Sequence, residues 1–340
     1  MDWPSILATV SRGADLTRDE ARQVMAEVMA GRATAAQMGA LMVGLRMKGE
    51  TVEEMTGLVE SIRTAAVPVP VDPEGLVDVV GTGGDRAGTF NISTAAALVA
   101  ASAGAKVAKH GNRSASSECG SADVLEALGI KIELPVEANL RLLLETGFAF
   151  FYAPLYHPSF RHAGPVRREL GIATVFNVLG PLANPAGTRR HSIGVADGRM
   201  AERMIGVLRE LGSESAFVFS GEDGLDEVTT AGPTYIYRLK DGEITHAEFT
   251  PEDFGVRRSP VSSLKGGDAA ANRDILLAVL EGEEGARRDA VLINTAPALV
   301  VAGLAAGFVD GVELAAQTID RGAARALVDR VAALSQELGG

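Results

Sequence analysis

Hydrophobic positions in the first fifth of the chain recur at helical spacing. Ala21, Val24, Met25 and Val28 make one stripe. Met38, Leu41, Met42 and Leu45 make a second, and Met55, Leu58, Val59 and Ile62 a third. Each stripe follows the same start signal, with Thr17 before Glu20, Thr34 before Gln37 and Thr51 before Glu54. In such a capping box the hydroxyl and the acid or amide three residues on satisfy backbone donors that the first helical turn leaves open. Gly31 and Gly49 stand where C-terminal caps belong. The pattern predicts a compact helical unit to about residue 66, its Met-bearing stripes serving as core or as a subunit interface. Val67-Pro68-Val69-Pro70 then reads as an extended linker, because each proline pushes its predecessor out of the helical region.

From residue 76 the pattern alternates. Strands are predicted at 76–80, 106–108, 148–153, 192–196 and 216–220, and helices at 93–103, 121–128 and 200–211. Segments 235–239 and 243–248 flank Lys240-Asp241-Gly242 as a hairpin. Residues 290–309 read as a buried helix. This alternation predicts an α/β fold with a mostly parallel central sheet beside the small N-terminal helical domain.

Composition narrows the class of function. A chain of 340 residues with 46% hydrophobic and 22% charged residues holds enough apolar material for a real core. Its net charge of −12 and 5% aromatic content argue against nucleic-acid binding, which needs cations and stacking platforms. A single cysteine, Cys119, allows no internal disulfide, so a reducing compartment, the cytoplasm, is expected. Residues 1–10 contain Asp2 and Pro4 and do not read as a secretory leader; no run is apolar enough to predict a membrane span.

Four segments carry candidate chemistry. Gly81-Thr82-Gly83-Gly84-Asp85, then Thr89-Phe90-Asn91-Ile92-Ser93-Thr94, joins a strand to a helix. Such a loop lets backbone N–H groups approach an anion at a helix N-terminus. Arg86 stands where a dinucleotide fingerprint needs glycine, and the Gly-Lys-Ser/Thr end of a P-loop is missing. The second segment, residues 109–117, gathers Lys109, His110, Asn112, Arg113, Ser114, Ser116 and Ser117, with Ser121 opening the next helix. These are phosphate-compatible donors with few acids among them. The third, Asp226-Glu227, is a carboxylate pair suited to Mg²⁺, which prefers hard oxygen ligands. The fourth is His157-Pro158 with Arg167 in a helix begun near Pro165; arginine suits planar, bidentate capture of a carboxylate.

Together GTGGD, NIST, KHGNR…SS, CGSADVLEALG, HP…PVRRELG…FN, LGPL…NP and DGLDE resemble the anthranilate phosphoribosyltransferase family, in its order and over nearly the whole chain. The resemblance implies a nucleoside phosphorylase/phosphoribosyltransferase type of fold. It implies a helical domain at 1–70 to which a segment around 160–185 returns, an α/β domain at 71–340, and a homodimer through the helical domain. Carried over by motif, Gly81, Gly84, Asp85, Thr89, Asn91, Ile92, Ser93, Thr94, Lys109, Ser117 and Ser121 would bind phosphoribosyl pyrophosphate. Ser93, Asp226 and Glu227 would hold Mg²⁺, and Gly81, His110, Asn112, His157 and Arg167 would line the anthranilate path. Lys109, His110 and Arg167 would be the catalytic residues. Glu118 and Phe160 depart from the residues usual in the family. Two rival expectations remain at this level. One is a pyrimidine nucleoside phosphorylase, separable by phosphorolysis of thymidine or uridine. The other is a non-catalytic nucleic-acid-binding paralogue, separable by gel shift.

Overall fold

The computed structural model describes residues 1–114 and 118–340. Helices α1 (Trp3–Ser11), α2 (Arg18–Met29), α3 (Ala35–Lys48) and α4 (Val52–Thr64) form the N-terminal unit. Thr17, Thr34 and Thr51 each close the expected capping box, and Gly31 and Gly49 take the positive φ of helix ends. Met25, Met38, Met42 and Met55 are all buried, so the stripes are core. Helix α1 was not anticipated; Asp2 caps it and Pro4 sits in its first turn, where a missing N–H does no harm.

Among the described residues seven strands make one sheet in the order β3-β2-β1-β4-β5-β6-β7. They are β1 (Leu76–Gly81), β2 (Lys106–Gly111), β3 (Phe148–Tyr152), β4 (Arg190–Gly194), β5 (Ser215–Gly221), β6 (Thr234–Lys240) and β7 (Glu243–Phe249). The first five run parallel; β6 and β7 add an antiparallel hairpin. Asp241 and Gly242 both have positive φ at its turn, as the right-handed strand twist requires.

Between strands lie α5 (Ile92–Ser102), α6 (Ser121–Ala127), α7 (Val136–Thr146), α8 (Ala153–Tyr156), α9 (Gly164–Leu170), α10 (Phe176–Leu179) and α11 (Gly198–Glu210). After the hairpin come α12 (Ala269–Leu280), α13 (Ala286–Ala302), α14 (Phe308–Asp320) and α15 (Ala323–Leu338). Alternate strand residues face opposite layers. Phe217 and Phe219 join the core under α5 and α12–α15, while Ala216 and Val218 join the core shared with α1–α4 and α11. Burial on both faces is why these strands read as apolar runs rather than alternating ones.

Two expectations are corrected. Residues 290–309 are not one helix: Gly303 adopts φ +78°, ends α13, and α14 starts at Phe308. The strand expected at 106–108 runs on to Gly111, because Lys109, His110 and Gly111 pair with β3, so the second donor segment begins within the sheet. Helix α7 was missed altogether. In turn, α9 packs on α3, with Val166 beside Gly39. No described helix is long and apolar enough to cross a membrane.

Candidate active site

In an open parallel sheet, ligands bind beyond the carboxyl ends of the strands where chain connections diverge. Here β1 leads to β2 on one side, while β4 lies on its other side and leads to β5. The candidate segments converge on that edge.

The glycine loop leaves β1 with Gly83 and Gly84 at φ +68° and +86°, and Arg86 at +58°. A side chain at Gly83 or Gly84 would meet nothing, so the loop is open there, and its glycines serve backbone conformation. Asp226 reaches the same place from the segment after β5. Its Oδ2 accepts the Gly83 N–H at 2.6 Å, and Glu227 Oε1 accepts the Ser93 N–H at 3.2 Å. Both carboxylates are buried. Burial, with the neighbouring Asp85, pushes Asp226 up to about 7, and burial together with Asp226 pushes Glu227 well above the usual range.

Lys109 is the opposing charge. It is 2% exposed, donates to the Val79 carbonyl at 2.5 Å and reaches Ser93 Oγ at 3.4 Å. Burial lowers its pKa to about 8, while Asp78, Glu227 and Asp226 favour its charged form. Among the described residues no group of three or more His, Cys, Asp or Glu is arranged to hold a metal ion. The donor set is instead two buried, mutually repelling carboxylates beside the Ser93 hydroxyl. That set fits a hard dication completing its shell with phosphate oxygens and water.

The other predicted donors divide. Asn91 is tied to the structure, accepting from Asn272 at 2.9 Å and donating to the Cys119 carbonyl at 3.2 Å. Ile92 puts its side chain in the core and its N–H on the Phe90 carbonyl. Thr94 Oγ1 is buried and has no hydrogen-bond partner among the described residues. Thr89 pairs with Lys265 in an isolated antiparallel bridge. Ser121 Oγ donates to the Asn112 carbonyl at 3.1 Å; Asn112 itself is exposed. Ser117 lies outside the described residues. Arg113, one of the cations counted in that segment, is held by Asp123 and Glu126 and lies over Tyr152, so its charge is compensated internally. Glu118 is exposed.

A second arm runs toward the helical unit. The rings of His110 and His157 lie 5.1 Å apart, His157 and Phe160 5.8 Å, and Phe160 and Phe176 6.3 Å. Arg167 Cζ sits 5.9 Å from the Phe176 ring centre. Arg167 has no ion pair among the described residues, and burial lowers its pKa. An arginine half out of water over an aromatic face, without an acid, is ready for an external carboxylate. His110 Nδ1 lies 3.1 Å from the Gly180 carbonyl and His157 Nε2 lies 2.9 Å from the Ala183 carbonyl. Burial drops His110 to about 3 and His157 to about 4, so both are neutral near pH 7. A carbonyl only accepts, so His110 carries its proton on Nδ1, and its buried Nε2 lone pair has no partner among the described residues.

Sequence reasoning missed Lys265, Asn272, Asp78 and Asn184. Lys265 closes over the glycine loop by donating to the Ala87 carbonyl at 2.5 Å. The Gly266-Gly267-Asp268 start of α12 was the available signal for the first two.

The fold and this arrangement define a glycosyl-transfer protein. Residues 73–325 match the "Glycosyl transferase family, a/b domain" and residues 4–66 the "Glycosyl transferase family, helical bundle domain". The chain belongs to that family. Within it, the chain belongs to the anthranilate phosphoribosyltransferases. It is 50% identical to the Rhodopseudomonas palustris (strain TIE-1) member over 335 residues, covering 98% of this chain and 99% of that one. It is 49% identical to the Xanthobacter autotrophicus member over 337 residues, with 99% and 98% covered. The crystal structure of the Thermus thermophilus anthranilate phosphoribosyltransferase superposes with a TM-score of 0.93 at 39% identity, covering 99% of this chain and all of that one. The Saccharomyces cerevisiae enzyme in complex with PRPP and Mg shares the fold, with a TM-score of 0.89 at 24% identity and 98% and 99% coverage.

Proposed function

We propose that the protein transfers the 5-phosphoribosyl group of phosphoribosyl pyrophosphate (PRPP) to the amine of anthranilate. The products are N-(5-phosphoribosyl)anthranilate and pyrophosphate, a step of tryptophan biosynthesis. The observation that carries this is the buried pair Asp226 and Glu227 seated against the Gly81–Gly84 loop. Identity near 50% with enzymes of that name supports it.

In this reading Gly81, Gly84, Asp85, Thr89, Asn91, Ser93, Thr94, Lys109, Ser117 and Ser121 bind PRPP, Ile92 contributing only backbone. Asp226, Glu227 and Ser93 hold Mg²⁺, which neutralises pyrophosphate charge when bound. Lys109 and the loop N–H groups face the leaving group as negative charge develops on it, which is where preorganised charge accelerates a reaction most. Arg167 clamps the anthranilate carboxylate, and His157 and Asn112 line the approach with Gly81. The arylamine nitrogen forms its bond to C1 as the C1–O bond to pyrophosphate breaks. The neutral His110 lines the anthranilate path, and the proton the amine gives up passes to solvent. Positioning of the two substrates supplies the rest.

The division into a helical domain at 1–70, to which 160–185 returns, and an α/β domain at 71–340 completes the reading, with a homodimer through the helical domain and a cytoplasmic location. Sedimentation tests the dimer. Anthranilate fluorescence tests the reaction: its loss must require protein, PRPP and Mg²⁺ together, and a flat trace with folded protein contradicts it.

A further inference from the structure

The turn at residues 180–184 is gripped from four directions. His110 and His157 engage the Gly180 and Ala183 carbonyls, as above. Arg63, at the end of α4, donates through Nε and Nη2 to the Leu182 carbonyl at 3.0 and 2.7 Å. Asn184 then anchors the turn to the sheet. Its amide nitrogen donates to Asp78 Oδ2 at 2.8 Å and to the Ala108 carbonyl at 2.7 Å, and its Oδ1 accepts the Ala186 N–H at 2.9 Å. The other oxygen of Asp78 accepts the His110 backbone N–H at 3.1 Å. Asp78 and Asn184 are 0% and 1% exposed, so water does not substitute for these bonds.

We infer that Asn184 is a positioning residue: clamped on Asp78 and β2, it holds the carbonyls that set the tautomer and orientation of His110 and His157. Only an amide matches the site. Two donors face two acceptors, and one acceptor faces a backbone N–H. An aspartate there would set oxygen against Asp78 and the Ala108 carbonyl; an alanine leaves Asp78 with an open buried oxygen. Among the described residues neither histidine ring has another hydrogen-bond partner on the nitrogen that the turn engages. The consequence for catalysis rests on reading this cleft as the acceptor site, but the structural effect does not.

The test uses the full chain with Asn184→Ala and Asp78→Asn. With five histidines, ring nitrogens can be followed by long-range proton–nitrogen NMR on uniformly labelled protein. The wild type should show His110 protonated on Nδ1 and His157 on Nε2, and both variants should lose or average these fixed tautomers. The KM for anthranilate should rise about tenfold while the KM for PRPP stays within about twofold. Unchanged tautomers in a folded variant overturn the inference, as does a fall in melting temperature with both KM values unchanged. If Asn184→Ala does not fold, Asp78→Asn decides. If the wild type does not consume anthranilate, the function fails while the tautomer spectra still judge Asn184.

Discussion

Asp226 occupies the space that a side chain at Gly81 would take: a β-carbon there would lie 2.3 Å from Asp226 Oδ2. A β-carbon on Gly194 would lie 1.7 Å from the Asp226 backbone oxygen. Two strand-end glycines therefore cradle one aspartate, one its carboxylate and the other its main chain. Gly81→Ala should turn the carboxylate away and weaken the Mg²⁺ dependence of turnover with a small change in stability. Gly194→Ala must move backbone and should cost about 1–3 kcal/mol. Thermal melts and Mg²⁺ titrations of both variants check this; equal melting losses, or an unchanged metal titration for Gly81→Ala, go against it.

Arg167 faces Phe176 and pairs with no acid among the described residues. Losing a charge-assisted hydrogen bond costs about 1.5–3 kcal/mol, or roughly 10- to 150-fold in affinity. Arg167→Ala should raise the KM for anthranilate by that range and leave the KM for PRPP near its starting value. Arg167→Lys should rescue little, since an ammonium lacks the planar fork. Steady-state kinetics with each substrate varied in turn gives the answer, and an unchanged anthranilate KM removes Arg167 from the site.

The carboxylate pair predicts a pH dependence of stability. Asp226, at about 7 when folded, holds its proton more tightly than an unfolded aspartate near 4. Through that window the folded chain binds more protons than the unfolded one, so this group's contribution to stability falls as pH rises and is lowest above it. Glu227 acts in the same direction. Without metal, melting temperature should drop between about pH 4 and about pH 7, and Asp226→Asn should flatten that drop. Mg²⁺ should raise the melting temperature more at the upper end, where Asp226 is ionised. A metal response independent of pH contradicts the assignment.

The parts of the molecule legible in the sequence are those specified by neighbours. Thr17 and Glu20 cap a helix from three residues apart, and Asp241-Gly242 makes its own turn. The glycine loop announced itself because strand, glycines and helix are contiguous. Arg113 misled because its partners Asp123 and Glu126 lie on the next helix, and a count of donors does not show which are already bonded. The end of β2 at Gly111 was hidden because its pairing partner, β3, lies more than thirty residues on. Asp78 lies inside the strand expected at 76–80, and its role depends on Asn184, 106 residues away. Lys265 belongs with the glycine loop only because its segment folds back on Thr89.

Glu54 combines a local and a distant role. It closes the capping box of α4, pairs with Lys48 at 2.6 Å and accepts the Leu16 N–H at 2.8 Å, with its side chain fully buried. Removing one partner of a buried pair costs about 3–5 kcal/mol; here Lys48 keeps Asp15 at 2.7 Å, so the loss falls toward the lower end and comes mainly from the Leu16 N–H left without its acceptor. Glu54→Ala should therefore destabilise far more than Thr34→Ala, which removes one exposed cap worth about 0.5–2 kcal/mol. Urea denaturation of the two variants compares them directly, and equal losses refute the buried role.

The most direct test of the central claim is stoichiometric. Pyrophosphate release and anthranilate consumption should be measured together on the wild type and on the Asp226→Asn, Glu227→Gln double variant, with PRPP and Mg²⁺ present. One pyrophosphate should appear for each anthranilate consumed, with a product whose mass equals anthranilate plus the phosphoribosyl group less the amine hydrogen it replaces, and turnover should be almost completely lost in the folded double variant. Pyrophosphate released without loss of anthranilate, or full turnover in the double variant, would contradict it.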